Sequence, residues 1–224
     1  KKKTQVTNFE VGVSSFKLSP DNSRILFSAS VYRDCFDFKC TKTKQSKQDS
    51  KVESGVVYDQ LFVRHWDHWI DEKQSQLFVS KLNKNGVATD KIIPISKSVN
   101  ANIPSDPFGG DEEYTFAQNG SAVYFSARLQ DEKEATSTNF DLYRVSINSP
   151  GKAYNLTENN PAWDTQPVIS HDGEKLAYLA MSRPGFEADR FEVIIKNLRT
   201  GKTSRVTEDW DRSFSTVQFS KDDR

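Results

Sequence analysis

Apolar and polar positions alternate along four stretches of this 224-residue chain, and each alternation is broken once by a short polar cluster. The stretches are SSFKLSPDNSRILFSAS from Ser14, EYTFAQNGSAVYFSAR from Glu113, TQPVISHDGEKLAYLAM from Thr165 and FSTVQFSKDDR from Phe214. A period of two marks a half-buried strand. In the third stretch Leu176, Tyr178 and Ala180 fall on one face, and Lys175, Ala177 and Leu179 on the other. The interrupting clusters SPDN and SHDG carry turn chemistry: Ser precedes the turn, Pro suits its second position, and Asp, Asn or Gly tolerates the reversal. The first three stretches therefore each predict two antiparallel strands joined by a tight turn, and the fourth predicts the first strand and the turn.

A second pattern follows the first. DLYRVSI (141–147) and FEVIIKNL (191–198) read as third strands, with QLFVSKLNKNG as their earlier copy. GKAYNLTE from Gly151 and GKTSRVTE from Gly201 read as closing strands about fifty residues apart. The opening KKKTQVTNFE looks like the end of one more unit, with Val6-Thr7 matching Leu156-Thr157 and Val206-Thr207. A four-stranded meander cannot bury both of its faces alone, so copies must stack, and radial stacking gives a β-propeller. The expected fold is all-β, a propeller of four-stranded antiparallel blades that is incomplete in this chain. The expected units are the end of a blade at 1–12, a blade at 13–98 with an insertion at 32–75, blades at 99–158 and 159–208, and the start of another at 209–224. An elongated stack of sheets is the weaker alternative.

Charge and composition narrow the classes. Thirty-one basic residues balance thirty-one acidic ones, so no long-range field recruits nucleic acid or an anionic membrane. Lys1-Lys2-Lys3 and TKTKQSKQDSK read as solvated surface. No apolar run approaches the roughly 18 residues of a membrane span, so no membrane insertion is expected. Cys35 and Cys40 are spaced to close a small local disulfide, with free thiols as the alternative, and they are two ligands short of a zinc site.

The segments SPDNSRILFSAS, SHDGEKLAYLA and LYRVSI followed by YNLT resemble the repeat of TolB and of the propeller in the prolyl oligopeptidase (S9) family. LFVRHWDHW followed by QLFVSKL, and IPSDPFGGDEEYTFAQNG, resemble more narrowly the propellers of bacterial dipeptidyl-peptidase 5 and acylaminoacyl-peptidase-like enzymes. The resemblance implies one part of a serine exopeptidase, in which a propeller gates short peptides to an α/β-hydrolase domain of the same parent protein. It implies no cofactor. No catalytic residue carries over, because the chain has no G-x-S-x-G elbow: GVSSF at Gly12 lacks the second glycine. The chain alone is expected not to hydrolyse peptides. With the cysteine pair, the resemblance implies a periplasmic or secreted protein. A non-enzymatic TolB-like propeller serving as an interaction platform is the alternative.

HWDHW, residues 65–69, gathers two of three histidines and two of four tryptophans. As metal ligands His65 and His68 need one helical face, whereas in one strand they point apart. As a packed corner, Trp66 and Trp69 bury apolar area while Arg64 and Asp67 pair at the rim, and this is the reading the residues favour. As a substrate contact, Arg64, His65, Trp66, Asp67 and Trp69 meet a peptide at the mouth where propeller insertions cluster. The acidic run Asp111-Glu112-Glu113 reads as a solvated loop, and His171 in SHDG as an exposed, dispensable side chain.

Overall fold

Two of the predicted hairpins close because the serine ahead of the turn holds both ends, the one at Ala117 closes through main-chain bonds, and the stretch from Phe214 forms a turn without strands among the described residues. Ser19 Oγ accepts the Arg24 N–H at 2.9 Å and donates to Asp21 at 2.6 Å. Ser170 Oγ does the same with the Lys175 N–H at 2.8 Å and Asp172 at 2.6 Å. The last turn position lies at positive φ in every copy, as Asn22, Gly120, Gly173 and Asp223, which explains the Asn, Gly and Asp found there.

The computed structural model describes residues 3–58 and 61–223; Lys1 and Lys2 of the basic triplet, Asp59, Gln60 and Arg224 lie outside the described residues. Strands β1 (Phe16–Leu18), β2 (Arg24–Tyr32), β5 (Lys73–Leu82) and β6 (Ala88–Pro94) form the first antiparallel sheet. Between β2 and β5 lie α1 (Phe38–Asp49) and a small hairpin, β3 (Arg64–His65) with β4 (His68–Trp69). The second sheet has β7 (Tyr114–Phe116), β8 (Ala122–Ala127), β9 (Asp141–Ser146) and β10 (Ser149–Asn155). The third has β11 (Asp164–Ile169), β12 (Lys175–Ala180), β13 (Glu192–Asn197) and β14 (Thr203–Arg205). All three pair in sequence order, as meanders do.

The two faces of each central strand serve two different cores. Leu26, Leu77 and Val79 of the first sheet pack against Val123, Phe125 and Tyr143 of the second. Tyr124 and Leu142, on the other face of the second sheet, meet Leu176, Tyr178 and Ala180 of the third. Ile25, Phe27, Val31 and Phe78 turn away from the second sheet toward Phe9, Val11, Val13 and the helix residue Phe38. Polar contacts lock neighbouring sheets as well: Arg24 donates to the Gly120 carbonyl at 2.6 Å, and Tyr114 donates to Ser15 at 2.8 Å.

The Leu-Thr and Val-Thr pairs of the closing strands have a defined task. Thr157 Oγ1 accepts the Leu142 N–H, and Thr207 Oγ1 accepts the Val193 N–H, each at 2.9 Å. Both threonines are buried, so each satisfies a main-chain donor that water cannot reach. The first sheet uses Ile95-Ser96 instead, with Ser96 Oγ accepting the Leu77 N–H at 2.9 Å.

Three features differ from the sequence expectations. The segment read as solvated surface is largely exposed, as read, but it forms the helix α1, whose polar sequence has no apolar stripe. Asp37 caps it by accepting the Cys40 N–H at 2.7 Å, Phe38 anchors it in the core, and a Cys35–Cys40 disulfide ties its first turn. Glu113 is buried rather than solvated. His171, about half exposed, donates its N–H to Asp223 at 2.7 Å, and its ring Nδ1 lies 2.9 Å from the same carboxylate. That contact ties the SHDG turn to the corresponding SKDD turn at 220–223. Among the described residues, no helix is long and apolar enough to cross a membrane.

Candidate binding cleft

In a four-stranded meander the links from strand two to three and from strand four to the next sheet leave from the same end. The long connections 33–72, 95–113, 128–140, 156–163 and 181–191 therefore gather on one face. There they surround a cleft of about 640 Å³, lined by the insertion, by the connections that join the three sheets, and by Thr165 and Gln166 of β11.

The insertion contributes the β3–β4 hairpin. Its cross-strand pairs are Arg64 with Trp69 and His65 with His68. A two-residue loop links them, and Trp66 sits there at φ 49°, a backbone region that suits Gly far better than a bulky residue. The packed aromatic corner is not what forms: Trp66 is 70% exposed and Trp69 68%. Neither ring joins any of the three buried core clusters. Arg64 and Asp67 do not pair either; Asp67 lies 2.7 Å from His68 Nδ1. Reversal of the chain places His65 and His68 opposite one another, which spacing along a single strand does not anticipate. No cluster of three metal-ligating side chains occurs among the described residues.

Of the five residues singled out, Arg64, His65 and Trp66 line the cleft. Trp69 lies toward two neighbouring hollows, beside Tyr58 at 6.2 Å between ring centres, and Asp67 occupies the exposed hairpin tip. Across the cleft mouth Trp66 meets Phe108 at 5.0 Å, so the two segments of the narrower resemblance touch. The loop carrying Phe108 is pinned beneath. Glu113 accepts the Ser105 N–H and hydroxyl, each at 2.6 Å, and burial pushes its carboxyl up while these bonds pull it down. Gly109 lies so close to this knot that a Cβ there would stand 2.5 Å from Ser105 N and 2.6 Å from Glu113 Oε2. That explains the glycine.

The inner wall was not singled out by sequence. Phe140 stacks on Trp163 at 4.6 Å, and Trp163 meets Phe191 edge-on at 5.6 Å. The Trp163 indole N–H is buried with no acceptor. Arg128, immediately after β8, places its guanidinium 5.8 Å from the Phe62 ring and 5.3 Å from the Phe140 ring. These residues share a signal that could have found them: each stands beside the end of a central or first strand, where alternation stops yet a large side chain persists. The cleft offers aromatic faces, one clamped cation, and carboxylates at Asp106, Glu112 and Glu187. Such a set can hold an extended amphipathic ligand.

No protein-family model matches the chain. Dipeptidyl-peptidase 5 of Porphyromonas gingivalis is 28% identical over 215 residues, covering 95% of this chain and 30% of that protein. Probable dipeptidyl-peptidase 5 of Arthroderma benhamiae is 31% identical over 189 residues, covering 77% of this chain and 26% of that protein. The chain thus spans less than a third of the curated relatives it matches. Uncomplexed Pyrococcus horikoshii acylaminoacyl peptidase aligns with 90% of this chain and 26% of its own at a TM-score of 0.51 and 13% identity. An acylaminoacyl peptidase bound to Z-Gly-Gly-Phe-chloromethyl ketone gives 0.53, also at 13% identity, over 91% of this chain and 26% of its own. The structural likenesses speak for the fold, and the sequence likenesses for descent. The chain is a propeller-like portion related to the S9 serine peptidases.

Proposed function

We propose that this chain is the substrate-gating propeller portion of an S9 serine exopeptidase of dipeptidyl-peptidase or acylaminoacyl-peptidase type. It is not catalytic by itself. Acyl transfer from peptide to serine belongs to an α/β-hydrolase domain of the same parent protein, and the cleft forms part of the wall that short peptides meet on the way in. Trp66 and Phe108 supply apolar faces for a side chain at the mouth, with Arg64 and His65 beside them. Asp67 and Trp69 stand off the cleft and contact only a ligand that extends over the hairpin. A periplasmic or secreted location is proposed with this reading.

The observation that supports it most is the alignment with a dipeptidyl-peptidase 5 over 95% of the chain, insertion included. The test uses the full-length protein. It should take a fluorophosphonate label and release 4-nitroaniline from dipeptidyl or acylaminoacyl substrates. Trp66→Ala should then raise KM severalfold at unchanged melting temperature. A full-length protein that takes no label and cleaves none of these substrates would return the interaction-platform reading. An unchanged KM in Trp66→Ala would remove the hairpin from the substrate path.

A further inference from the structure

Resting on the peptide-cleft reading, we infer that Arg128 is a carboxylate anchor that makes the cleft prefer ligands carrying a free carboxylate. Rings of Phe62 and Phe140 cover the guanidinium, leaving its N–H edge as the group's means of interaction. That edge has little to bind. Among the described residues the Arg128 side chain makes no hydrogen bond, and its ion pair with Glu134 is long, at 3.9 Å, beyond hydrogen-bond reach, so the donor fork itself stays unused. Its side chain is only 18% exposed, so water does little to replace a missing acceptor. Other arginines near carboxylates are fully engaged: Arg183 with Asp189 at 2.7 Å, Arg190 with Glu192 at 2.8 Å and Arg205 with Glu192 at 2.7 Å.

A planar fork of donors, held in orientation by two rings and facing a cleft, matches the two oxygens of a carboxylate. A neutral amide offers one oxygen and adds an N–H that would face a cation. The carboxylates at Asp106, Glu112 and Glu187 line the same cleft and would disfavour an anion near themselves; of the two cations in the lining, Arg64 is solvent-exposed and Arg128 is not, so the ligand's acidic end is directed to Arg128. The acid can be a peptide's C-terminus or an Asp or Glu side chain.

Titration calorimetry on the full-length protein, pre-treated with a small fluorophosphonate, separates these cases. The probes are Gly-Ala-Phe, its C-terminal amide, and the amides of Gly-Ala-Glu and Gly-Ala-Gln. The free acid or the Glu amide should bind about tenfold or more tightly than its neutral counterpart, and the pair that shows the ratio identifies the source of the carboxylate. Arg128→Gln should erase the ratio, and Arg128→Lys, which keeps the charge but loses the fork, should reduce it. Equal binding of acid and neutral forms by the wild type, or a ratio that survives in Arg128→Gln, overturns the inference while leaving a peptide cleft intact. If none of the four binds, the peptide reading falls and takes this inference with it. Should Arg128→Gln fail to fold, the wild-type ratios and Arg128→Lys still decide.

Discussion

Replacing Asp164 by Asn should make the protein more stable at neutral pH and slightly less stable in acid. Asp164 opens β11 beside the cleft residue Trp163 and has no exposed surface. Its Oδ1 accepts from Asn160 Nδ2 at 2.8 Å, but Oδ2 has no partner. Burial pushes its pKa from 3.8 up to about 8, against the pull of the Asn160 and Thr157 bonds. The folded chain therefore keeps a proton that the unfolded chain releases once the pH passes about 4. Stability falls as pH rises through the window from about 4 to about 8, and is flat on either side. At about 1.4 kcal/mol per pH unit, some three units up to pH 7 correspond to about 4 kcal/mol. Asn keeps the acceptor for Asn160 and never ionises, although its amide N–H needs an acceptor where Oδ2 has none, at a cost of about 1–3 kcal/mol. The net expectation is a gain of about 1–3 kcal/mol at pH 7.5 and a small loss at pH 4.5. Asp141, Glu113 and Glu134 are also raised by burial and slope the same way. They act in both proteins, so the difference between wild type and variant isolates Asp164. The assay is thermal unfolding of full-length wild type and Asp164→Asn at several pH values. About 2–4 °C is expected for each kcal/mol. Parallel curves, with a difference that does not change sign or size between pH 4.5 and 7.5, would refute the assignment of a proton to Asp164.

Three further outcomes follow from the same geometry. Thr157→Val and Thr207→Val should each cost about 1–3 kcal/mol by orphaning the buried N–H of Leu142 or Val193, whereas Thr→Ser at either site should cost far less; equal losses for Val and Ser would contradict this. Gly109→Ala should displace Glu113 from Ser105 and loosen the Phe108 loop, read as a lower melting temperature together with faster proteolysis between residues 104 and 110. Reducing Cys35–Cys40 removes a short-loop cross-link worth about 2 kcal/mol on chain-entropy grounds. Far-UV helix signal and protease resistance of the insertion should fall under dithiothreitol while the sheets stay folded, and an unchanged helix signal would show that Asp37 and Phe38 suffice to hold α1.

Whatever depended on neighbours along the chain was legible in the sequence. The hairpin turns were, because Ser19, Asp21 and Arg24, or Ser170, Asp172 and Lys175, complete their hydrogen bonds within six residues. The two faces of β12 were as well, since a strand's pleat alternates whatever it packs against. The Leu156-Thr157 and Val206-Thr207 repeat was visible, but not that Ile95-Ser96 does the same work, because a hydroxyl acceptor at that place can come from either residue type. Helix α1 escaped periodicity because it is held by a cap, a disulfide and one buried ring rather than by an apolar stripe. What packing supplies, only the tertiary structure decided. Two tryptophans in HWDHW promise burial by composition, yet both rings stay mostly exposed. Asp111, Glu112 and Glu113 read alike in sequence, and only the fold of the 95–113 loop buries the third against Ser105. The cleft goes furthest beyond sequence: Trp66, Phe108, Arg128, Phe140, Trp163 and Phe191 span 126 positions and converge only because every second link of a meander returns to the same face.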